Sequence, residues 1–454
     1  MSPDVRLATF VAGLAWRDVP PDLASNVREH VLDALGVMCA GLSAEDSPNI
    51  RAVAEAGGGA AEASLVGCGK ALPAAAAAFV NGFHGRIHTF DDTYEAGPVH
   101  PGTVVLAAAL AVAERRHSSG ADLLAGVLAG HEVSVRVADA LGPGHYASGY
   151  HCTGTCNALG AAAAAARVLG LDADGVAGAL GHAGSAASGL RQFIDTGTMT
   201  DSALNGARAA QTGVTAALLS KQGLRGAGDI LSGRFGVLRV MSKDADPARL
   251  IDRLGEDWSY SKTALKPFPT CRFTHGPIAA LLDLRQKHGI DPANVEEVMI
   301  AAFDQSVVTS DRPDVKTRFD ALMSHQYGAA VALAMGRVGM DSLEPETIGN
   351  PAIRHLLSRI RVRHDKALDE FYPKRWPHRI DVSLKDGTTM SADSSNPPGD
   401  ATAPLGRSVI VAKFLDLAQP VLGRSQAEDL RTAVDTLAEN PDVATLGPLL
   451  RGGA

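Results

Sequence analysis

A chain of 454 residues, 46% of them hydrophobic and 20% charged, has the length for two or three domains and the composition of a globular protein rather than a disordered one. The net charge of −8, with no basic run longer than Arg115-Arg116-His117, argues against a nucleic-acid partner, because nothing supplies the phosphate-neutralising term. The five cysteines are odd in number, the first ten residues lack a secretory pattern, and no apolar run reaches bilayer length, so the expectation is a cytoplasmic chain with reduced thiols and no membrane segment.

In chain order, Pro20-Pro21 opens a helix over 20–42 whose apolar face is Leu23, Val27, Val31, Leu32, Leu35 and Met38. A second helix is expected over 49–59, a short extended piece at 63–66, and a helix over 73–80. Apolar helices follow over 103–116 and 121–141, the latter carrying Glu132 and Arg136 on its polar side. A Gly/Pro turn at 142–149 leads to helices over 156–169, 176–189 and 204–222, the last closed by a glycine-rich terminator. The pattern changes near Trp258. Residues 295–303, 360–364 and 379–385 alternate as strands, Lys385-Asp-Gly-Thr388 is a hairpin signal, and helices are interleaved at 275–288 and 323–337. A polar linker at 394–404 returns the chain to helices over 409–422 and 426–437. The expected fold is mainly α: a large, discontinuous all-helical domain (1–259 and 397–454) carrying a smaller α+β domain (260–396) as a lid.

The densest polar cluster is the stretch from Arg86 to Gly102, which holds Arg86, His88, Asp91, Asp92, Thr93, Glu95 and His100 between two apolar helices. A polar segment held by rigid helices is a way to fix reactive side chains. Three further places can carry chemistry. Tyr150-His151 opens a small-residue helix whose N-terminal field suits a carboxylate. The segment 189–208 holds Arg191 and Arg208. Lys266-Pro-Phe-Pro-Thr-Cys-Arg-Phe-Thr-His275 places Lys266, Arg272 and His275 on a proline-stiffened boundary. Cys152 and Cys156 stand near His151, but their spacing is wrong for a zinc knuckle and they are expected to be small buried thiols. No nucleotide-binding, serine-elbow or HExxH signature is present. His and Lys beside Thr and Arg point instead to proton transfer next to a carboxylate, with no cofactor and no metal.

Several motifs together resemble the MmgE/PrpD family. Asn81-Gly82, Phe90-Asp-Asp-Thr93 and His100-Pro101 are similar to its NG…DFDDT…HP signature, and Gly149-Tyr-His-Cys-Thr153 with Leu169-Gly-Leu171 is similar to GxHxT…LGL. Gly223-Leu-Arg-Gly226, Gly233-Arg-Phe-Gly236, Lys266-Pro-Phe-Pro269 with His275, and Ser324-His-Gln-Tyr327 extend the match along most of the chain. The resemblance implies a metal-free site and a homodimer. It places Thr93, His100, His151, Lys266 and His275 at family site positions, and Asp91 and Asp92 at the last two acids of DFDDT. Two positions depart: Thr89 stands where the family has its first Asp, and Asp201-Ser202 where it has a loop Lys, with Asn205 or Leu204 at the following His. Arg86 stands where the family often has His.

The reading that follows is a cofactor-independent lyase, a dehydratase or decarboxylase, acting on a small hydroxy or unsaturated carboxylic acid. His100 or His151 is the expected base, Asp91 or Asp92 its partner, and Lys266 and Thr93 hold the substrate, with Arg86, His88, Tyr150, Arg272 and His275 lining the site. The alternatives are an epimerase or isomerase of a small dicarboxylate, and a scaffold of this family without catalysis.

Overall fold

The computed structural model describes residues 1–372 and 374–452; Pro373, Gly453 and Ala454 lie outside the described residues. The chain forms two compact units, Met1–Leu265 with Gly406–Ala454, and Lys266–Leu405. The first is helical and the second is α+β.

The helical unit contains α1 (Pro3–Gly13), α2 (Pro21–Gly41), α3 (Ser47–Glu55), α4 (Ala74–Arg86), α5 (Gly102–Arg116), α6 (Gly120–Leu141), α7 (Pro143–Ala147), α8 (Cys152–Val168), α9 (Ala173–Ala186), α10 (Phe193–Thr196) and α11 (Met199–Lys221). A two-residue hairpin of β1 (Ala63–Ser64) and β2 (Ala71–Leu72) lies between α3 and α4. The apolar face read from α2 is buried throughout. Helices α4, α5, α6, α8 and α11 form the centre, and small residues let them approach closely. A Cβ on Gly213 of α11 would stand 2.3 Å from the Ala161 Cβ of α8, and one on Gly130 of α6 would stand 2.5 Å from the Gly160 carbonyl oxygen. Bulkier residues there would force the helices apart.

Three elements differ from the sequence expectation for physical reasons. Helix α4 runs six residues past Val80, because Asn81-Gly82 does not stop it. The Asn81 amide instead donates to Ser64 O at 2.9 Å and accepts from Val66 N–H at 3.0 Å, tying α4 to the hairpin. Helix α8 starts at Cys152 rather than 156, with His151 at its N-cap. Glu132 and Arg136 are not on a solvated face: both are buried. Arg136 Nε donates to Glu132 at 3.1 Å, its other nitrogens donate to Asp252 O and Asp257 O at 2.8 Å, and Glu132 accepts the Tyr260 N–H at 2.8 Å. The segment 247–262 thus covers that side of α6, and burial pushes the Glu132 carboxyl up to about 7 against the opposing pull of Arg136. Tyr260, the expected first residue of the α+β domain, belongs to this core, and Ala264 pairs backbone to backbone with Thr93.

The chain returns to the helical unit through Arg407–Leu422, which packs on α2, and Arg424–Asp435. In the α+β unit a four-stranded sheet has the order β4-β3-β5-β6, with β3 (Val295–Ala302), β4 (Ile360–His364), β5 (His378–Leu384) and β6 (Thr389–Ser394). The β3–β4 pair is parallel and the others antiparallel. Along β5, His378, Ile380 and Val382 are buried while Arg379 and Asp381 are exposed, the alternation of a sheet covered on one face. Helices His275–His288 and His325–Met335 supply the cover. Among the described residues no helix is long and apolar enough to cross a membrane.

Candidate functional site

The stretch from Arg86 to Gly102 is not a solvated loop. Arg86 is the last residue of α4 and Gly102 the first of α5, and every residue from His88 to Thr93 is buried. Burial without partners would cost about 1–3 kcal/mol per polar group, so each of these side chains is tied locally. Arg86 Nη1 contacts both oxygens of Asp91, at 2.5 and 2.6 Å. His88 Nε2 lies 3.0 Å from Ala40 O and 3.1 Å from Ser43 Oγ, at the end of α2. The Asp92 carboxylate accepts the Gly102 N–H at 2.9 and 3.1 Å, capping α5. Thr89 sits at φ 52°, a left-handed conformation unusual for a β-branched residue, where the chain turns from Arg86 toward Asp91.

These contacts orient His100. Its Nδ1 lies 2.7 Å from the Asp92 carbonyl oxygen and 3.0 Å from Thr93 Oγ1. A carbonyl can only accept, so Nδ1 carries the proton and Nε2 the lone pair. The Asn157 amide donates to His100 O at 2.7 Å and fixes its backbone. The side chain is half-buried.

The second imidazole is held differently. The Asn205 amide nitrogen donates to Leu190 O at 3.2 Å, which fixes the amide orientation, and also points at His151 Nδ1 at 3.0 Å. Nδ1 is therefore the acceptor and Nε2 carries the proton. Burial first, then the positive charges of Arg86 and Arg191, hold His151 well below the usual histidine range. At neutral pH it is an uncharged donor through Nε2–H. Of the two candidates for the following family His, Asn205 faces His151, while Leu204 packs against the core.

The position read as a missing lysine has a cation beside it after all. Arg86 Nη2 lies 3.4 Å from Ser202 Oγ, and both side chains are buried. A guanidinium from α4 thus reaches the place where a lysine from the start of α11 is absent. Ser202→Lys alone should therefore destabilise the protein strongly, by setting two buried cations against one carboxylate. Adding Arg86→His should recover much of that loss, because the new lysine can then face Asp91. A double-mutant cycle in urea measures the coupling, and strictly additive effects would show that the two positions do not share a charge site.

The remaining sequence candidates have partners of their own. Tyr150 stacks on His145 at 4.6 Å. His145, not His151, is the imidazole that joins Cys152 and Cys156, but its ring nitrogens already face Met241 O at 3.1 Å and Thr155 Oγ1 at 2.8 Å. Arg191 donates to Tyr146 O at 3.0 Å and lies over the Tyr146 ring. In the α+β unit Lys266 is buried. Arg272 donates to Pro398 O at 2.6 Å and Pro397 O at 3.2 Å, and its Nη1 stands 3.3 Å from His275 Nδ1. His275 Nε2 faces Thr270 O at 3.2 Å. Both residues thereby bind the start of the helix His275–His288 to its surroundings.

Sequence reasoning missed Asn157, His30, His131 and Tyr260, which reach the polar stretch or surround it. They sit singly on apolar helical or loop sequence, so no local pattern marks them.

Family models match almost the whole chain: the MmgE/PrpD N-terminal domain over residues 5–250 and the MmgE/PrpD C-terminal domain over 268–439. The chain is 27% identical to the cis-aconitate decarboxylase of Mus musculus, covering 98% of this chain and 92% of that protein. It is 28% identical to the Homo sapiens cis-aconitate decarboxylase, with 84% and 80% covered. A cis-aconitate decarboxylase-like protein of Aspergillus oryzae is 26% identical, with 98% and 96% covered. With both of its domain models matched in order along one chain, this protein belongs to the MmgE/PrpD family.

Proposed function

We propose that the protein is a carboxylic-acid lyase that acts on a small hydroxy or unsaturated acid by proton transfer next to a carboxylate, using side chains alone. The observation that carries this reading is the His100 imidazole, held by Asp92 O and Thr93 Oγ1 so that its Nε2 is the reacting nitrogen. The decarboxylase names of the relatives favour the carboxy-lyase form. In that form the bond between the substrate carbon and the departing carboxylate breaks and CO₂ leaves. The electron pair moves onto the substrate carbon framework, and the carbon that receives it takes a proton from the His100 imidazolium through Nε2. The neutral Nε2–H of His151 donates to a substrate carboxylate oxygen as charge develops. In the hydro-lyase form the same nitrogen, as a neutral base, removes a proton beside a carboxylate, the C–O bond breaks, and the hydroxyl leaves as water on taking that proton back from the imidazolium.

The test is proton NMR in D₂O of the purified protein with cis-aconitate and a panel of small hydroxy and unsaturated acids. A new alkene signal is expected, with one deuterium in the product in the carboxy-lyase form and none in the hydro-lyase form. Deuterium in recovered substrate, with no loss of CO₂ or water, would replace the lyase by an isomerase. Loss of no acid in the panel, from protein that melts cooperatively, would count against catalysis on this substrate class.

A further inference from the structure

Behind the polar stretch lies a second cluster that the proposed chemistry does not use. His30 of α2 and His131 of α6 converge on the Asp92 carboxylate from opposite helices. His30 Nδ1 and His131 Nε2 each stand 3.7 Å from Asp92 Oδ2, and the three side chains are 3%, 0% and 3% exposed. One ligand atom from each lies within 4.8 Å of the others. Neither of these ring nitrogens has a hydrogen-bond partner, although both are buried. The Tyr260 ring covers both imidazoles, with centroids at 4.9 and 4.1 Å, and seals the cluster.

The separations decide what the cluster is built for. A direct N–H···O hydrogen bond would bring the atoms to about 2.7–3.2 Å. A bridging water with two bonds of about 2.8 Å at a tetrahedral angle would hold them about 4.6 Å apart. Two ligands at about 2.1 Å from one metal ion stand about 3.4–3.6 Å apart at tetrahedral to trigonal angles. The observed 3.7 Å lies nearest to the last, about 0.1 Å beyond it, and well away from the other two. Charge points the same way. Among the described residues the ion-pair partners of Asp92 are these two imidazoles, so with both neutral the cluster is a buried monoanion. A divalent cation would compensate it and satisfy the two orphaned nitrogens.

We propose that His30 Nδ1, Asp92 Oδ2 and His131 Nε2 bind one divalent transition-metal ion of the zinc class, with a water as the fourth ligand. Two imidazoles and a carboxylate suit such an ion rather than calcium or magnesium. The burial makes it a structural site and not a Lewis acid for substrate. It ties α2, α6 and the polar stretch together, three elements far apart in sequence, and closing such a set contributes directly to folding. Because the Asp92 carbonyl holds His100 Nδ1, the ion is also a positioning device for that imidazole.

The test is metal analysis by mass spectrometry of the full chain, purified from zinc-supplemented culture and dialysed. About one zinc per chain is expected, falling at least tenfold in His131→Asn and in His30→Asn. It should be unchanged in Cys152→Ser, which reports on the separate His145, Cys152 and Cys156 group. Should the His variants fail to fold, chelator-stripped wild type is loaded with Co²⁺. It should show four-coordinate visible bands without a thiolate charge-transfer band, and regain the melting temperature that stripping lowers. Protein that carries no metal and takes up neither Zn²⁺ nor Co²⁺, or metal that stays in His131→Asn but leaves in Cys152→Ser, would overturn the assignment.

Discussion

Replacing His100 with Gln should lower turnover by about 10²–10⁴-fold while the melting transition stays close to that of the wild type. The ring is half-buried and bonds to its own segment through Nδ1, so an amide of similar reach preserves most of the packing. It removes the nitrogen that the proposed reaction uses for proton transfer, whereas His151 is held uncharged by burial and by two arginines. The two histidines therefore separate kinetically. His151→Gln retains a donor and should weaken the reaction less than His100→Gln. Single-turnover rates with whichever acid the NMR assay identifies decide the matter. Equal losses in the two variants would mean that both transfer protons, and an unchanged rate in His100→Gln would move the base to another residue.

The largest expected effect on stability is at a residue that touches no expected substrate. Lys413→Met should cost about 3–5 kcal/mol, read as a fall in the urea midpoint. Lys413 is buried in the returning helix Arg407–Leu422, with Nζ 2.7 Å from Asp33 of α2 and donating to Phe90 O at 2.9 Å, while its charge lies 3.9 Å from the Phe90 ring centroid. Burial pushes the Asp33 carboxyl up and Lys413 opposes it. Without the lysine, Asp33 is left buried with no compensating charge. The second change Asp33→Asn should recover part of the loss, because a neutral amide needs no cation. If the single variant is as stable as the wild type, the pair contributes nothing and the helix is held by apolar packing alone. The Lys413 bond to Phe90 O also joins the two pieces of the discontinuous helical unit at the polar stretch, so the variant should lose turnover with stability.

The legibility of the site followed the range of the interactions. Arg86, His88, Asp91, Asp92, Thr93 and His100 lie within one short segment, and their concentration among Ala- and Leu-rich helices was visible without any tertiary information. Their division of labour was not. Asp91 and Asp92 look equivalent in sequence, yet one is bound to Arg86 and the other caps α5 between two imidazoles. The same holds for the substitution at Ser202. Read along the chain it is a lost cation, whereas in three dimensions Arg86, more than a hundred positions away, stands beside it. Glu132 and Arg136, four apart on a helix, read as a solvated pair until the segment that buries them is in place.

The sequence by itself determined the things that depend on neighbours within a few residues. Helical periodicity drew α2, α5 and α6 close to their observed bounds, and β-branched alternation marked β3, β4 and β5, with an Asp-Gly turn after β5. The motif order gave the family. Only the tertiary structure decided which histidine nitrogen carries a proton, which carboxylate is already committed, and which cation serves a given place. Those outcomes depend on which donor or acceptor happens to lie within about 3 Å. His30, Asp92 and His131 meet only when α2, the polar stretch and α6 are folded together, and a pattern local to the chain cannot carry that information.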